Sequence, residues 1–305
     1  MVNALIIGTG VSVGSGTPGT SGPEGWTYLL GDNEAKLAYS DARRLNSDYS
    51  GALIRVRRNS DNTEQDIPYI LLSDEYILDE ANLLTFVGNT AGDNGYLVKR
   101  YNQSGSGVNH AVQTAMSAQP PIVVDGVVLK DPVSNKPAHL CDGVNHFFDI
   151  ENSGANVSVD DLSFSVFSDA VGANGFRVGI GTSIIGVIPT TWYWFLSNSA
   201  SKLLSVYATP SIEHFTGLAK TGGFICITSC NGAIPTVASA RLNGVDGVDG
   251  SYFVDEDSVF NRLDSTFSTN ARHKGYKSED VLFGAARTQT ELVIEANVND
   301  FYQMF

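Results

Sequence analysis

Cysteine is scarce in this chain: Cys141, Cys226 and Cys230 are the only three in 305 residues. An odd number without framework spacing excludes a disulfide-stapled secreted domain. The Cys226/Cys230 spacing has no neighbouring His or further Cys to complete a zinc site, which leaves buried thiols or one local bridge. Basic residues are outnumbered, with Lys+Arg 19 against Asp+Glu 33 and a formal charge of -14. Such a surface repels phosphate backbones and anionic lipid, so neither nucleic acid nor a membrane surface is an expected partner. No apolar run reaches the ~18 residues of a membrane-spanning helix. The segment from Met1 to Gly8 has no basic n-region and no cleavage site, so no signal peptide is expected, and the chain reads as folded in a reducing cytosol. Catalytic signatures are missing too. His110, His139, His146, His214 and His273 follow no zinc spacing, no G-x-S-x-G elbow occurs, and Gly8-Thr-Gly-Val-Ser-Val-Gly lacks the Lys of a phosphate loop.

What the chain does carry is turn formers and short apolar segments. Hydrophobic residues make up 42%, enough for a core, and the 31 glycines suit many tight turns. Residues 1–31 read as an extended Gly/Pro-rich arm in which Leu5, Ile6 and Ile7 form the one run of large apolar side chains. Residues 32–305 read as one domain. The spacing of Ala38, Ala42, Leu45 and Tyr49 predicts a helix over 34–46, and a second short helix is expected over 79–87, stopped by Gly88. From residue 96 onward short β-capable runs follow one another: 96–101, 122–129, 147–150, 162–168, 176–180, 184–188, 191–196, 202–207, 223–228 and 251–254. The end, 289–305, reads as a helix with Leu292, Ala296, Asn299 and Tyr302 on one face, Val298 off it, and Glu291 and Glu295 exposed. The expected fold class is therefore all-β, an antiparallel sandwich or jelly roll with a short N-terminal helix and a C-terminal helix.

Several segments admit two readings. Arg55 and Arg57 alternate along a strand and can pair with Glu64 or Asp66. The segment around Asn102, Gln103, Ser104 and Asn109 can either brace its own loop or hydrogen-bond sugar hydroxyls. Trp192 and Trp194 share a strand face that either fills a core or stacks on sugar rings. No cofactor is expected; the acidic runs 244–250 and 255–257 are the best candidates for calcium but read first as solvated loops. Asp142, Asp149, Glu151, Glu213, Asp255, Glu256 and Asp257 are the acids from which a glycosidase pair could be drawn.

Four segments in order carry a resemblance: Leu37-Ala-Tyr-Ser-Asp-Ala-Arg-Arg-Leu and its continuation to Ile67; Tyr101-Asn-Gln-Ser-Gly-Ser-Gly-Val-Asn-His, followed by Ala118-Gln-Pro-Pro-Ile-Val; Pro137-Ala-His-Leu-Cys-Asp-Gly-Val-Asn; and Ile294-Glu-Ala-Asn-Val-Asn-Asp-Phe-Tyr. Over residues 36–305 the chain resembles the concanavalin-type jelly-roll module of bacteriophage tail and other virion proteins. That module is in turn similar to the catalytic sandwich of fungal α-L-arabinofuranosidases. The resemblance implies a lectin-like virion protein, of head, fibre or tail, with capsid or tail proteins as partners. It also implies a homo-oligomer, a trimer by preference, docking through the arm and contacting a host glycan near Asn102, Gln103, Ser104, Asn109, Trp192 and Trp194. Asn102 stands where the family carries Asp, which removes a carboxylate from that loop. The arabinofuranosidase catalytic acids and clustered cysteines align with no position of this chain, so the expectation is a protein without enzymatic activity.

Overall fold

The computed structural model describes residues 28–30, 35–157, 162–168, 177–182, 193–196, 204–208, 211–215, 223–231, 236–246, 250–252, 258–264, 273–284 and 290–305. The strands that position the site are, in chain order, β1 (Ala35–Ser40), β2 (Ile54–Arg58), β3 (Glu64–Ile67) and β4 (Gly95–Arg100). They continue with β5 (Ala111–Val112), β6 (His139–Asp142), β7 (Phe148–Ile150) and β8 (Leu162–Ser168). Then come β9 (Gly223–Asn231), β10 (Thr236–Leu242), β11 (Ser258–Leu263) and β12 (Lys274–Phe283). Two helices, α1 (Glu80–Val87) and α2 (Glu291–Tyr302), accompany them.

The strands form an all-β sandwich, and every described pairing between them is antiparallel. Eight described strands make the smaller sheet: β1-β12-β8-β9-β10 in that order, with β6 also paired to β12 and strands 245–246 and 250–252 both paired to β10. The larger sheet runs from strands 211–215, 204–208, 193–196 and 177–182 through β11, β7, β5, β4 and β2 to β3. Its inner face meets the smaller sheet over a core that includes Leu37, Tyr39, Ile54, Val56, Leu97, Phe148, Leu263 and Leu282. A second core lies on the smaller sheet's other face, where Ala38, Phe164, Val166, Val281 and Phe283 meet Ile294, Val298, Phe301 and Tyr302 of α2. The smaller sheet is thus a middle layer, apolar on both sides.

That double burial explains the largest departure from the sequence expectation. Residues 34–46 were expected to be helical, but residues 35–40 are strand β1. Leu37 and Tyr39 face the inter-sheet core while Ala38 faces α2. A strand apolar on both faces loses the alternation that marks it, and small residues at helical spacing then mimic a helix. Helix α1 matches the expectation: Asp79 caps it by accepting from the Asn82 N–H at 2.9 Å, and Gly88 ends it at φ 109°. Helix α2 exists where expected, but of the expected face only Tyr302 is buried, and the buried face is rotated onto Ile294, Val298 and Phe301. Ile294, Val298, Phe301 and Tyr302 are buried, whereas Leu292 is 62% exposed. Glu295, expected in solvent, is buried against Arg241 at 3.0 Å and accepts from the Gly244 N–H at 2.6 Å. That ion pair turns the helix.

Of the residues assigned to the arm, Leu29 and Leu30 join the α2-side core, and Tyr28 stacks on Tyr76 at 6.0 Å. Leu5, Ile6 and Ile7 lie outside the described residues, as does the run 184–188. Among the acidic runs considered for calcium, Asp246 is paired with Arg241, and 255–257 lie outside the described residues.

Two β-bulges decide what faces the inter-sheet space. The β8–β12 register slips between Val166 and Phe167, opposite Glu279 and Lys277, so Ser278 is an extra residue. The β2–β4 register slips between Arg55 and Val56, opposite Lys99 and Leu97, which makes Val98 the extra residue there. In a regular strand residues three apart point to opposite faces. The bulges instead put Lys277 with Asp280, and Leu97 with Arg100, on the same inner side.

The two faces of α2 give a direct test. Ile294→Ala should lower unfolding stability by about 2–5 kcal/mol, while Leu292→Ala should stay within about 0.5 kcal/mol. Urea midpoints in the reverse order would place the helix face wrongly.

Candidate functional site

Between the sheets the bulged strands and their neighbours bring six ionisable side chains together, all of them at 0% exposure. They close a ring of alternating charge. Asp41 Oδ1 accepts from Arg100 Nε at 2.7 Å, and Arg100 Nη1 donates to Asp280 Oδ2 at 2.6 Å. Lys277 Nζ then bridges Asp280 Oδ1 at 2.8 Å and Asp264 Oδ1 at 2.7 Å. His139 completes the circuit, with Nε2 3.2 Å from Asp264 Oδ2 and Nδ1 2.5 Å from Asp41 Oδ2. Further donors occupy remaining lone pairs: Ser165 Oγ bonds Asp280 Oδ1 at 2.7 Å, and Arg100 Nη2 donates to the Ser278 carbonyl at 3.1 Å. The bulge at Ser278 thus supplies both a side-chain direction and an acceptor.

Burial alone would raise the carboxyls and lower His139 and Lys277. The opposite charges outweigh it. Despite burial, Lys277 and His139 hold Asp264 far below the usual carboxylate range, and Arg100 and His139 hold Asp41 below it. Asp41 and Asp264 in turn raise His139, and Asp264 and Asp280 raise Lys277. Three carboxylates face three cations, and the cluster is balanced. Beside it lies Cys141, a buried free thiol that desolvation pushes well up. The opposite side of β12 carries a separate pair: Arg43 grips Glu279 at 3.0 and 2.9 Å, and Tyr302 of α2 donates to the same carboxylate at 2.8 Å. Chemically, the ring offers no group to a substrate from solvent; it joins the two sheets.

The larger sheet's outer side is different. Register places Asp66, Arg55, Lys99, Val112, Asp149 and Arg262 in one row across β3, β2, β4, β5, β7 and β11. Arg55 grips Asp66 with contacts of 2.6 and 3.0 Å, as the sequence allowed, and the Tyr101 hydroxyl donates to Asp66 at 2.7 Å. Lys99 pairs with Glu151 at 2.9 Å, and Arg262 pairs with Asp149 at 2.6 Å. Tyr101 meets His110 edge-on at 4.9 Å, and Arg262 lies over the Phe147 ring at 4.3 Å. Asp66 and Asp149 have about half their side-chain surface in solvent, 44% and 55%. Accessible carboxylates beside aromatic rings are what sugar recognition and glycoside hydrolysis use.

The residues expected to touch sugar sit elsewhere. Asn102 Oδ1 accepts from the Ala38 and Ser104 N–H groups at 2.8 and 3.1 Å, and its amide donates to the Val108 carbonyl at 2.9 Å. Gln103 Oε1 accepts from the Leu45 N–H at 2.7 Å, and Ser104 Oγ donates to the Lys36 carbonyl at 3.2 Å. All three are buried and tie this loop to β1 and the segment after it. Asn109 is half-buried at φ 61°, and its carbonyl accepts from Tyr39. Trp194 falls in strand Tyr193–Leu196, opposite Val206, and Trp192 lies outside the described residues. The ring itself was missed from sequence. Its one local signal is the density of charge in Lys274–Phe283, a stretch where no strand was expected from the sequence.

No protein-family model matches the sequence, and neither does any curated protein. Solved structures do match. One is a GH54 α-L-arabinofuranosidase soaked with a cyclic sulfate inhibitor, at TM-score 0.60 and 14% identity over 88% of this chain and 62% of that one. A mutant GH54 α-L-arabinofuranosidase soaked with 4-nitrophenyl α-L-arabinofuranoside gives TM-score 0.61 at 15% identity, again over 88% and 62%. An arabinofuranosidase complexed with arabinofuranosyl-α-1,2-xylobiose gives 0.60 at 15% identity, over 88% and 63%. The chain spans less than two thirds of the length of these structures. At such identity the likeness establishes a shared sandwich fold. It corrects the expectation of a protein without enzymatic activity, because the structures sharing this fold over 88% of the chain are glycosidases. The resemblance to a virion module gains no support from these matches.

Two predictions arise from the geometry. Lys277→Met strands Asp264 and Asp280 and should cost about 3–5 kcal/mol, whereas Arg55→Ala on the open face should cost about 0–1 kcal/mol. Equal urea midpoints for the two variants would refute the assignment of the ring as the sheet junction. Asp66 is held below the usual carboxylate range, first by Arg55 and also by the Tyr101 hydroxyl. Its contribution to stability is present above about pH 3.9 and is lost as pH falls through the folded midpoint. Tyr101→Phe should raise that midpoint, read from carboxyl NMR shifts, while Arg55 keeps it below about 3.9.

Proposed function

We propose that the protein is carbohydrate-active, of the glycoside hydrolase kind, with its substrate lying across the open face of the larger sheet. The single observation that carries this reading is the fold shared with arabinofuranosidases over 88% of the chain. The face supplies matching chemistry. Asp66, kept as a carboxylate by Arg55 and Tyr101, stands four strands, about 19 Å, along the row from Asp149, too far to pair with it, and suits an acceptor for sugar hydroxyls. Asp149 and Glu151, both among the acids considered from sequence, stand on the same face with one cation each. Tyr101 and Phe147 offer ring surfaces to a furanose. An α-L-arabinofuranoside is the substrate class the neighbours suggest.

The test is release of 4-nitrophenol from 4-nitrophenyl α-L-arabinofuranoside, with Asp66→Asn, Asp149→Asn and Glu151→Gln alongside. Loss of Asp149 or Glu151, two residues apart on one side of the chain, should reduce turnover by about 10²–10⁴-fold, while Asp66→Asn should act on substrate binding. Glycan binding without turnover would support recognition but defeat hydrolysis. Neither turnover nor binding on a glycan array would overturn the proposal.

A further inference from the structure

We propose that His139, Cys141 and Asp264 form a binding site for a divalent transition metal, with zinc as the expected ion. His139 and Cys141 alternate along β6, so both project into the inter-sheet space, and Asp264 follows the end of β11 in the facing sheet. One ligand atom from each lies within 4.8 Å of the other two. The 3.2 Å between His139 Nε2 and Asp264 Oδ2 is close to one edge, about 3.4 Å, of a tetrahedron with Zn–N and Zn–O bonds near 2.1 Å.

The surroundings favour an ion as well. His139 Nδ1 contacts the Asp41 carboxylate at 2.5 Å, the outer partner that turns a ligating histidine's Nε2 lone pair toward a metal. Phe148 fixes the ring from its edge, with centroids 5.6 Å apart. Lys277 takes the other oxygen of Asp264, leaving Oδ2 facing His139. Sulfur, nitrogen and oxygen together suit zinc or cobalt and disfavour the hard cations calcium and magnesium. Charge balance is also kept. A divalent ion entering with a thiolate and a neutral imidazole replaces two protons, so the formal charge of the buried cluster does not change. Such an ion would link β6 of the smaller sheet to the end of β11 in the larger one. No spacing rule reveals the site, because Asp264 is 125 residues from His139.

The experiment uses the full chain, stripped with chelator and dialysed against Zn(II), Co(II) or Ca(II) alone. About one zinc or cobalt per chain should remain bound, with no retained calcium, and zinc should raise the melting temperature. The Co(II) form should show a thiolate-to-metal charge-transfer band that Cys141→Ser abolishes and the double variant Cys226→Ser/Cys230→Ser retains. In urea below the unfolding midpoint, where local opening exposes the buried thiol, zinc should also slow alkylation of Cys141 in the unaltered chain, a readout that stands even if Cys141→Ser misfolds. Metal well below one per chain, a band that survives Cys141→Ser, or alkylation unaffected by zinc would each overturn the proposal.

Discussion

Three carboxylates buried between two apolar sheet faces must each be met by a cation, and much of the architecture follows from that requirement. An isolated buried charge is expensive, and a pair repays its desolvation only with good geometry and fully used lone pairs. Here Asp41, Asp264 and Asp280 each touch two cationic side chains, and Arg100, Lys277 and His139 each touch two carboxylates. Each member is therefore braced from two sides, and the six come from five strands or strand ends, Lys277 and Asp280 sharing β12. Apolar packing alone would let the sheets slide against each other at small cost. The ring permits one alignment.

Strand β12 is where these constraints meet. Its Glu279 and Asp280 are neighbours in sequence yet serve opposite layers, one fixed to Arg43 and Tyr302 and the other to Arg100 and Lys277. A bulge at Ser278 allows Lys277 to return to the inner side, and the matching bulge at Val98 does the same for Arg100. Two backbone irregularities, one in each sheet, thus aim the basic side chains that the acids require. This arrangement leaves the outer side of the larger sheet free to vary its chemistry, and the paired acids and aromatic rings lie there.

Much of the sandwich was legible in the sequence. Strand Leu162–Ser168 was expected to the residue, and α1 with its Gly88 stop nearly so, because alternation and capping are local signals. What escaped was what depends on distant partners. Residues 35–40 looked helical because burial on both faces erased their alternation. Lys274–Phe283, the centre of the smaller sheet, was not recognised because four of its ten residues are charged. Of these, Lys277 and Asp280 are tolerable only beside Asp264 and Arg100, and Glu279 only beside Arg43, partners which no local window contains. The site residues followed the same logic. The amides of Asn102 and Gln103 looked available to a ligand, but they are spent on the Ala38 and Leu45 backbone more than fifty residues away.

The closed ring also bears on how the chain reaches this state. Its members come from positions 41, 100, 139, 264, 277 and 280, so the circuit closes only when both ends of the sequence have met. Contacts of such separation make folding slow, because chain entropy is lost before they reward it. Until the last partner arrives, a half-built ring holds a dehydrated charge without its counterion, so partly assembled sandwiches are penalised. The junction that fixes the alignment of the sheets therefore also makes their assembly cooperative: intermediates that dock the sheets early must keep this region wet, and the final drying of the interior coincides with completion of the charge circuit.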